Sequence, residues 1–269
     1  MITRLVDPRL LTALSLAAIA ATATVLPARS QDALRPSACN TPTGLAHFAR
    51  PLNRTARRLA SGKSITIIAI GSSSTAGAGA SSASASYPNR LEADLRRRFP
   101  LGTIRVINRG VNGTEARDMI AKFEHDVVAE KPDLVIWQLG TNSVLRDLAL
   151  TDAPSVINEG LAKLKASGAD VILINPQYAP RVLAKSEAGH MVQIISTVAS
   201  QANVNLFDRF GVMRHWQVAE NIPFSKFLSP DELHMNDWSY ACVAKLLGGA
   251  IAEAATRPAQ TATTASIRN

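Results

Sequence analysis

The stretch Ser64-Ile65-Thr66-Ile67-Ile68-Ala69-Ile70-Gly71-Ser72-Ser73-Ser74-Thr75 decides the fold. A nearly continuous β-branched and apolar run over Ser64–Ile70 stops at a glycine and a string of hydroxyls. Such a run suits a strand buried on both faces of a parallel sheet. Gly71 allows the chain to turn sharply at the strand end. Four further runs read the same way: Thr103–Asn108, Leu134–Leu139, Asp170–Asn175 and Asn203–Phe207. Helical patterns fill the gaps. Tyr87–Phe99 carries Leu91 and Leu95 four apart, Glu115–Glu130 follows a Thr114 cap, and Ala153–Ser167 ends at Gly168. Ser186–Gln201 and Asn236–Ala254 complete the set, and a helix within residues 46–60 is expected to cap the sheet. Strands alternating with helices imply an α/β fold, a parallel five-stranded sheet with helices on both faces.

The chain of 269 residues is long enough for one large domain. Arg4 and Arg9, the Ala-rich apolar run Leu10–Leu26 and the small residues Ala28 and Ser30 read as a signal peptide over residues 1–30. The domain then spans residues 31–256, opening with an extended arm over 31–45. A Thr/Ala-rich tail over 257–269 is expected to be disordered. The export signal points to a periplasmic or secreted protein, and no later segment is apolar enough to span a bilayer. The formal net charge of +8 falls to +6 once residues 1–30 are removed. Its basic residues, Arg54, Arg57, Arg58 and Arg96–Arg98 among them, are not interleaved with aromatics, which argues against a nucleic-acid surface. The two cysteines, Cys39 and Cys242, suggest one disulfide tying the arm to the last helix. No Cys/His cluster has metal-ligand spacing.

Loops that follow parallel strands open at one edge of the sheet, so blocks far apart in sequence converge there. Three blocks follow the first three strands: Gly71–Thr75, Asn108-Arg109-Gly110-Val111-Asn112-Gly113 and Gly140-Thr141-Asn142. A fourth, Asp231-Glu232-Leu233-His234, precedes the last helix. The first block lacks the Gly-Lys-Ser/Thr ending of a phosphate loop and is not a GxSxG elbow. Ser72, Ser73 and Ser74 are each candidate nucleophiles. The Gly113 N–H and the neutral Asn142 amide suit a developing oxyanion. Asp231 lies one helical turn before His234, where it can accept the imidazole Nδ1–H and leave Nε2 free to take a proton. That spacing selects His234 as base over His47, His125, His190 and His215. Tyr178, beyond the fourth strand, is a candidate substrate-binding residue.

Four blocks in this order resemble the SGNH or GDSL family of serine hydrolases over roughly residues 64–254. The resemblance implies Ser73 as nucleophile, with an oxyanion hole made of the Ser73 N–H, the Gly113 N–H and the Asn142 side chain. It makes His234 the base and Asp231 its partner. A flavodoxin-like three-layer α/β/α fold with strand order 2-1-3-4-5, and no metal or organic cofactor, are implied too. Ser72 stands where the family signature usually has Asp; that acid is not the triad's, so the departure bears on loop rigidity and substrate fit. The expected protein is an exported esterase that cleaves short-chain or acetyl esters through a covalent acyl-enzyme. Its substrate is a small-molecule, carbohydrate or lipid ester; no nucleic acid partner and no stable membrane span after signal cleavage are expected. Two alternatives are an O-acyltransferase acting on a cell-envelope glycan with the same residues, and a non-catalytic glycan-binding module.

Overall fold

A computed structural model describes Cys39 and residues 41–257. The expected signal peptide, most of the arm before residue 41 and the tail from residue 258 lie outside the described residues. Five strands, β1 (Ile65–Gly71), β2 (Ile104–Gly110), β3 (Leu134–Gln138), β4 (Asp170–Ile174) and β5 (Asn205–Phe207), pair in parallel in the order β2-β1-β3-β4-β5. All five expected strands are present, their ends trimmed or extended by one or two residues. The helices of the described residues are, in chain order, α1 (Asn53–Ala60), α2 (Ser73–Ala76), α3 (Tyr87–Arg98), α4 (Ala116–Asp126), α5 (Thr141–Leu145), α6 (Ala153–Ala166), α7 (Pro180–Leu183), α8 (Ala188–Gln201), α9 (Arg209–Val218), α10 (Phe224–Phe227) and α11 (Asp237–Thr256).

Successive residues of a strand point to opposite faces, and β3 shows what each face meets. The Trp137 ring packs edge-on against Phe123 of α4, and its indole N–H points at Met119 of the same helix. On the other face, the Gln138 side chain reaches a hydroxyl network that includes Tyr87 of α3. Helices α4, α6 and α8 pack in sequence as one layer, and α3, α11 and α1 as the other. With both faces covered, β1 and β3 are buried almost without interruption, as their unbroken apolar runs require.

Three local expectations differ. The helix expected within residues 46–60 begins only at Asn53. Before it a 3-10 turn covers Thr43–Ala46 and residues 47–52 are non-helical, with the Arg50 backbone N–H and carbonyl paired to the Asn205 side chain at 3.1 and 3.0 Å. The Asp170 carboxylate then accepts the Arg54 and Thr55 backbone N–H groups that open α1. The helix expected over 115–130 stops at Asp126, where Val127 leaves helical geometry (φ −126°), and one 3-10 turn follows. Its cap is Glu115, in a reciprocal box with Asp118; the Thr114 hydroxyl bonds back to Val111 instead. Helix α9 was not expected; Asp208 caps it by accepting from the Gly211 N–H at 2.9 Å.

Cys39 and Cys242 are disulfide-bonded, with Cα atoms 5.3 Å apart across 203 residues of chain. Among the described residues no helix is long and apolar enough to cross a membrane. The bridge anchors Cys39 to the second turn of α11, so its removal should loosen that end of the chain. Replacing both cysteines by alanine should lower stability by about 2–4 kcal/mol without loss of fold. Denaturant melts of the oxidised protein and the double variant measure this, and thiol titration of the unfolded, unreduced protein should find no free sulfhydryl.

Candidate active site

The site grows out of the way β1 ends. Gly71 and Gly110 are partners in the β1–β2 register, and both chains leave the sheet there. The next residue, Ser72, is buried, and both its N–H (2.8 Å) and its hydroxyl (3.1 Å) donate to the Gln138 side-chain oxygen. Thr75 donates to the same oxygen at 3.2 Å. A backbone N–H can only donate, so it holds the Gln138 amide oxygen-inward although the amide nitrogen then has no partner among the described residues. At the position where Asp is usual in related signatures, Ser72 is thus locked by a side chain from the neighbouring strand.

The three serines are sorted by this turn. Ser72 faces the sheet. Ser74 is buried and accepts a hydrogen bond from Arg209 at 2.9 Å. Ser73, half-buried at the start of α2, opens toward His234, whose Nε2 lies 2.8 Å from its Oγ. His234 Nδ1 lies 2.5 Å from Asp231 Oδ2. The Asp231 carboxyl is partly buried, which by itself would raise its pKa. Hydrogen bonds from the His234 ring and from the His234 and Leu233 backbone N–H groups outweigh this and hold it below the usual carboxylate range.

The Asp231–His234 pair does not sit on a helical turn, as its spacing suggested. Glu232 takes the left-handed conformation (φ 56°), and the Asp231 side chain closes the turn on the backbone. An isolated bridge between Leu228 and Met235 and a 2.8 Å bond from Ser229 N–H to the His234 carbonyl clamp the loop from outside. Two residues on, Asn236 caps α11 in a reciprocal box with Ser239. The Asp-x-x-His spacing is also not what singles out His234. Glu187 stands three residues before His190 and pairs with it at 2.9 Å, but on the exposed side of α8. Only the tertiary placement opposite Ser73 separates the two histidines.

Gly113 and Asn142 converge as expected. Asn142, in the first turn of α5, donates through Nδ2 to the Thr114 carbonyl at 2.8 Å, one residue beyond Gly113. A side-chain amide has two N–H groups, so one stays available. Gly113 has φ +76°, a left-handed geometry that suits glycine, and its carbonyl accepts from Arg146 at 2.8 Å. Arg146 also pairs with Glu115. Among the described residues neither the Ser73 nor the Gly113 backbone N–H is spent on a protein acceptor. Gln138 and Arg146 were missed from sequence. Neither lies in a recognisable block, and their roles come from strand register and loop packing. Tyr178 is half-buried in an aromatic group, edge-on to Phe210 and stacked on Phe224.

Two grooves flank the site. One of about 570 Å³ lies beside the Asn142 turn, lined by Leu139, Leu150 and Met191 together with the charged Glu115, Arg117 and Asp152. The other, about 610 Å³, borders the His234 loop along Phe224, Leu228, Pro230 and Glu232. Among the described residues no group of three or more His, Cys, Asp or Glu is placed to hold a metal ion.

Comparison with known proteins gives the same outline. The model of a family described as "Non-GDSL lipase-like" matches residues 38–257. An acetylxylan esterase from Geobacillus stearothermophilus is 44% identical over 52 residues, 19% of this chain and 24% of that protein. Esterase TesA from Pseudomonas aeruginosa is 33% identical over 87 residues, 29% of this chain and 41% of that protein. The chain thus matches less than half the length of either relative. A solved two-domain esterase active on acetylated mannans superposes with a TM-score of 0.67 at 21% identity, covering 81% of this chain and 58% of the other. At that identity the superposition speaks for the fold alone.

The tightest packing at the site is between its first two blocks. A Cβ at Gly110 would lie 2.1 Å from the Ala76 backbone nitrogen and 2.6 Å from the Thr75 carbonyl carbon. Backbone cannot swing aside as a side chain can, so Gly110→Ala should push α2 away from β2. Thermal melts should register a loss of about 1–3 kcal/mol. A variant as stable as the parent would mean that the two blocks are not in this contact.

Proposed function

Because this chain belongs to the non-GDSL lipase-like family, we propose that it is a carboxylic ester hydrolase working through Ser73, His234 and Asp231. The observation that carries the reading is the unbroken relay from Ser73 Oγ through the His234 ring to the Asp231 carboxylate, 2.8 and 2.5 Å per link. In it, His234 Nε2 removes the Ser73 proton as Oγ attacks the ester carbonyl carbon. Asp231 accepts the Nδ1–H, fixes the tautomer and stabilises the imidazolium. The Ser73 and Gly113 N–H groups and the free N–H of Asn142 receive the oxyanion. The tetrahedral species collapses, and His234 returns its proton to the departing alcohol. Water then attacks the acyl-Ser73 ester with His234 again as base, releasing the acid and restoring the serine.

We place the hydrolase domain at residues 31–256, exported by way of residues 1–30. The Cys39–Cys242 bond supports an oxidising compartment. The names of the relatives, an acetylxylan esterase and an esterase active on acetylated mannans, support acetyl or other short acyl groups on a carbohydrate alcohol. The groove beside Asn142, partly lined by Leu139, Leu150 and Met191, defines the competing outcome, a longer acyl chain.

Ser73→Ala should abolish fluorophosphonate labelling and nearly all ester hydrolysis while the melting curve is kept. Residual activity that passes to Ser72 or Ser74 would reassign the nucleophile. Asn142→Ala removes one neutral donor from the oxyanion, and kcat should fall about a hundred- to a thousandfold with KM little changed. A large fall in melting temperature with normal kcat would make Asn142 a structural cap instead. On a series of p-nitrophenyl esters, kcat/KM should be highest for acetate to butyrate. Rates that climb toward octanoate would overturn the short-acyl assignment and give the acyl chain to the groove beside Asn142.

A further inference from the structure

Arg209 is the one large charged side chain among the fully buried residues of this structure, 1% exposed at the start of α9. Burying a charge is expensive unless a counter-ion or a full set of hydrogen bonds compensates it. Here the compensation is neutral. Nε donates to the Asn175 carbonyl at 3.0 Å, Nη1 to the Ser74 hydroxyl at 2.9 Å and Nη2 to the Gln177 side-chain oxygen at 2.9 Å. Among the described residues no carboxylate forms an ion pair with it, and the phenols Tyr87 and Tyr240 lie near it. Burial lowers its pKa to about 10, which still leaves a cation at neutral pH.

What the fork holds is the reason to retain it. Ser74 is the chain neighbour of Ser73. Gln177 accepts from the Thr141 hydroxyl at 3.0 Å, and Thr141 is the chain neighbour of Asn142. The Gln177 amide nitrogen points at the Leu233 carbonyl, 3.4 Å away, and Leu233 is the chain neighbour of His234. Nucleophile, oxyanion amide and base stand on three separate loops. One residue from each is tied, directly or through Gln177, to a single planar guanidinium. Arg is suited to such a node because its donors form a rigid fork, which an ammonium on a flexible stem does not.

Resting on the ester-hydrolase reading, we infer that Arg209 is a positioning residue: through Ser74 and Gln177 it sets Ser73, Asn142 and His234 at their working separations. It touches none of the reacting atoms. Its loss should therefore slow the chemical step more than it weakens substrate binding, since sub-ångström misplacement is costly in the transition state and cheap in the ground state.

The test compares Arg209→Lys and Ser74→Ala with the parent protein on p-nitrophenyl acetate and on a fluorophosphonate probe, well below the melting temperature of each. Arg209→Lys keeps the charge but not the fork. Its kcat and its labelling rate should both fall about ten- to a hundredfold, with KM changed less than about threefold. Ser74→Ala removes one arm with little loss of volume and should show the same pattern more weakly, so it decides the matter if Arg209→Lys fails to fold. Parental kcat and labelling rate per folded molecule, in either variant, overturn the inference even if the melting temperature falls, and leave Arg209 a structural residue. A fall in labelling matched by an equal rise in KM overturns it too. A parent protein that is neither labelled at Ser73 nor active on any ester overturns the hydrolase reading and this inference with it.

Discussion

The end of β1 is the constraint on which the rest of the site depends. A strand buried on both faces cannot leave its last N–H groups to water, so the turn that follows must find acceptors inside the protein. Gln138 answers that need by offering one carbonyl oxygen to the Ser72 N–H, the Ser72 hydroxyl and the Thr75 hydroxyl. Because Gln138 is the last residue of β3, the turn is referenced to the neighbouring strand and not to its own flexible ends. The Asn108 amide repeats the device from β2 by donating to the Thr75 carbonyl at 2.9 Å. A short helix of four residues is thereby fixed from both sides, and Ser73 is the hydroxyl left facing outward.

Strand order turns that local lock into a site. The chain reverses direction across the sheet between β1–β2 on one side and β3–β5 on the other, with β1 and β3 adjacent. Crevices in parallel sheets open where that reversal occurs. The loops after β1, β2 and β3 meet at this crevice, and the last helix delivers the Asp231–His234 loop across its mouth. The disulfide from Cys39 to Cys242 ties down the helix that follows this loop.

Charge is distributed with equal economy. The partly exposed Asp231 carboxylate faces the His234 ring at Nδ1, on the side away from Ser73. The buried Arg209 cation lies beneath the serine turn, held only by neutral acceptors. Neutral donors, two backbone N–H groups and one amide, face the place where an acyl carbonyl would carry negative charge. A neutral donor costs less to bury than a charge, yet in a site of low dielectric it still stabilises an anion strongly.

Much of this was written in the chain itself. The parallel α/β class followed from five apolar runs alternating with amphipathic segments, because burial on both faces demands that composition whatever the partners. The order of the four blocks carried a family resemblance, and that resemblance pointed to Ser73, Gly113, Asn142, Asp231 and His234. Other features depended on what lies next to what. Three adjacent serines are chemically alike, and only the Gln138 and Arg209 contacts make Ser72 and Ser74 inward-facing. The spacings of Asp231 to His234 and Glu187 to His190 are identical, and only one imidazole is placed opposite a serine. The helix expected from residue 46 gave way to a non-helical segment in which Asn205, distant in sequence, supplies the Arg50 backbone partners. Local pattern determines which face of an element is buried; which long-range neighbour satisfies each buried polar group is decided by packing alone.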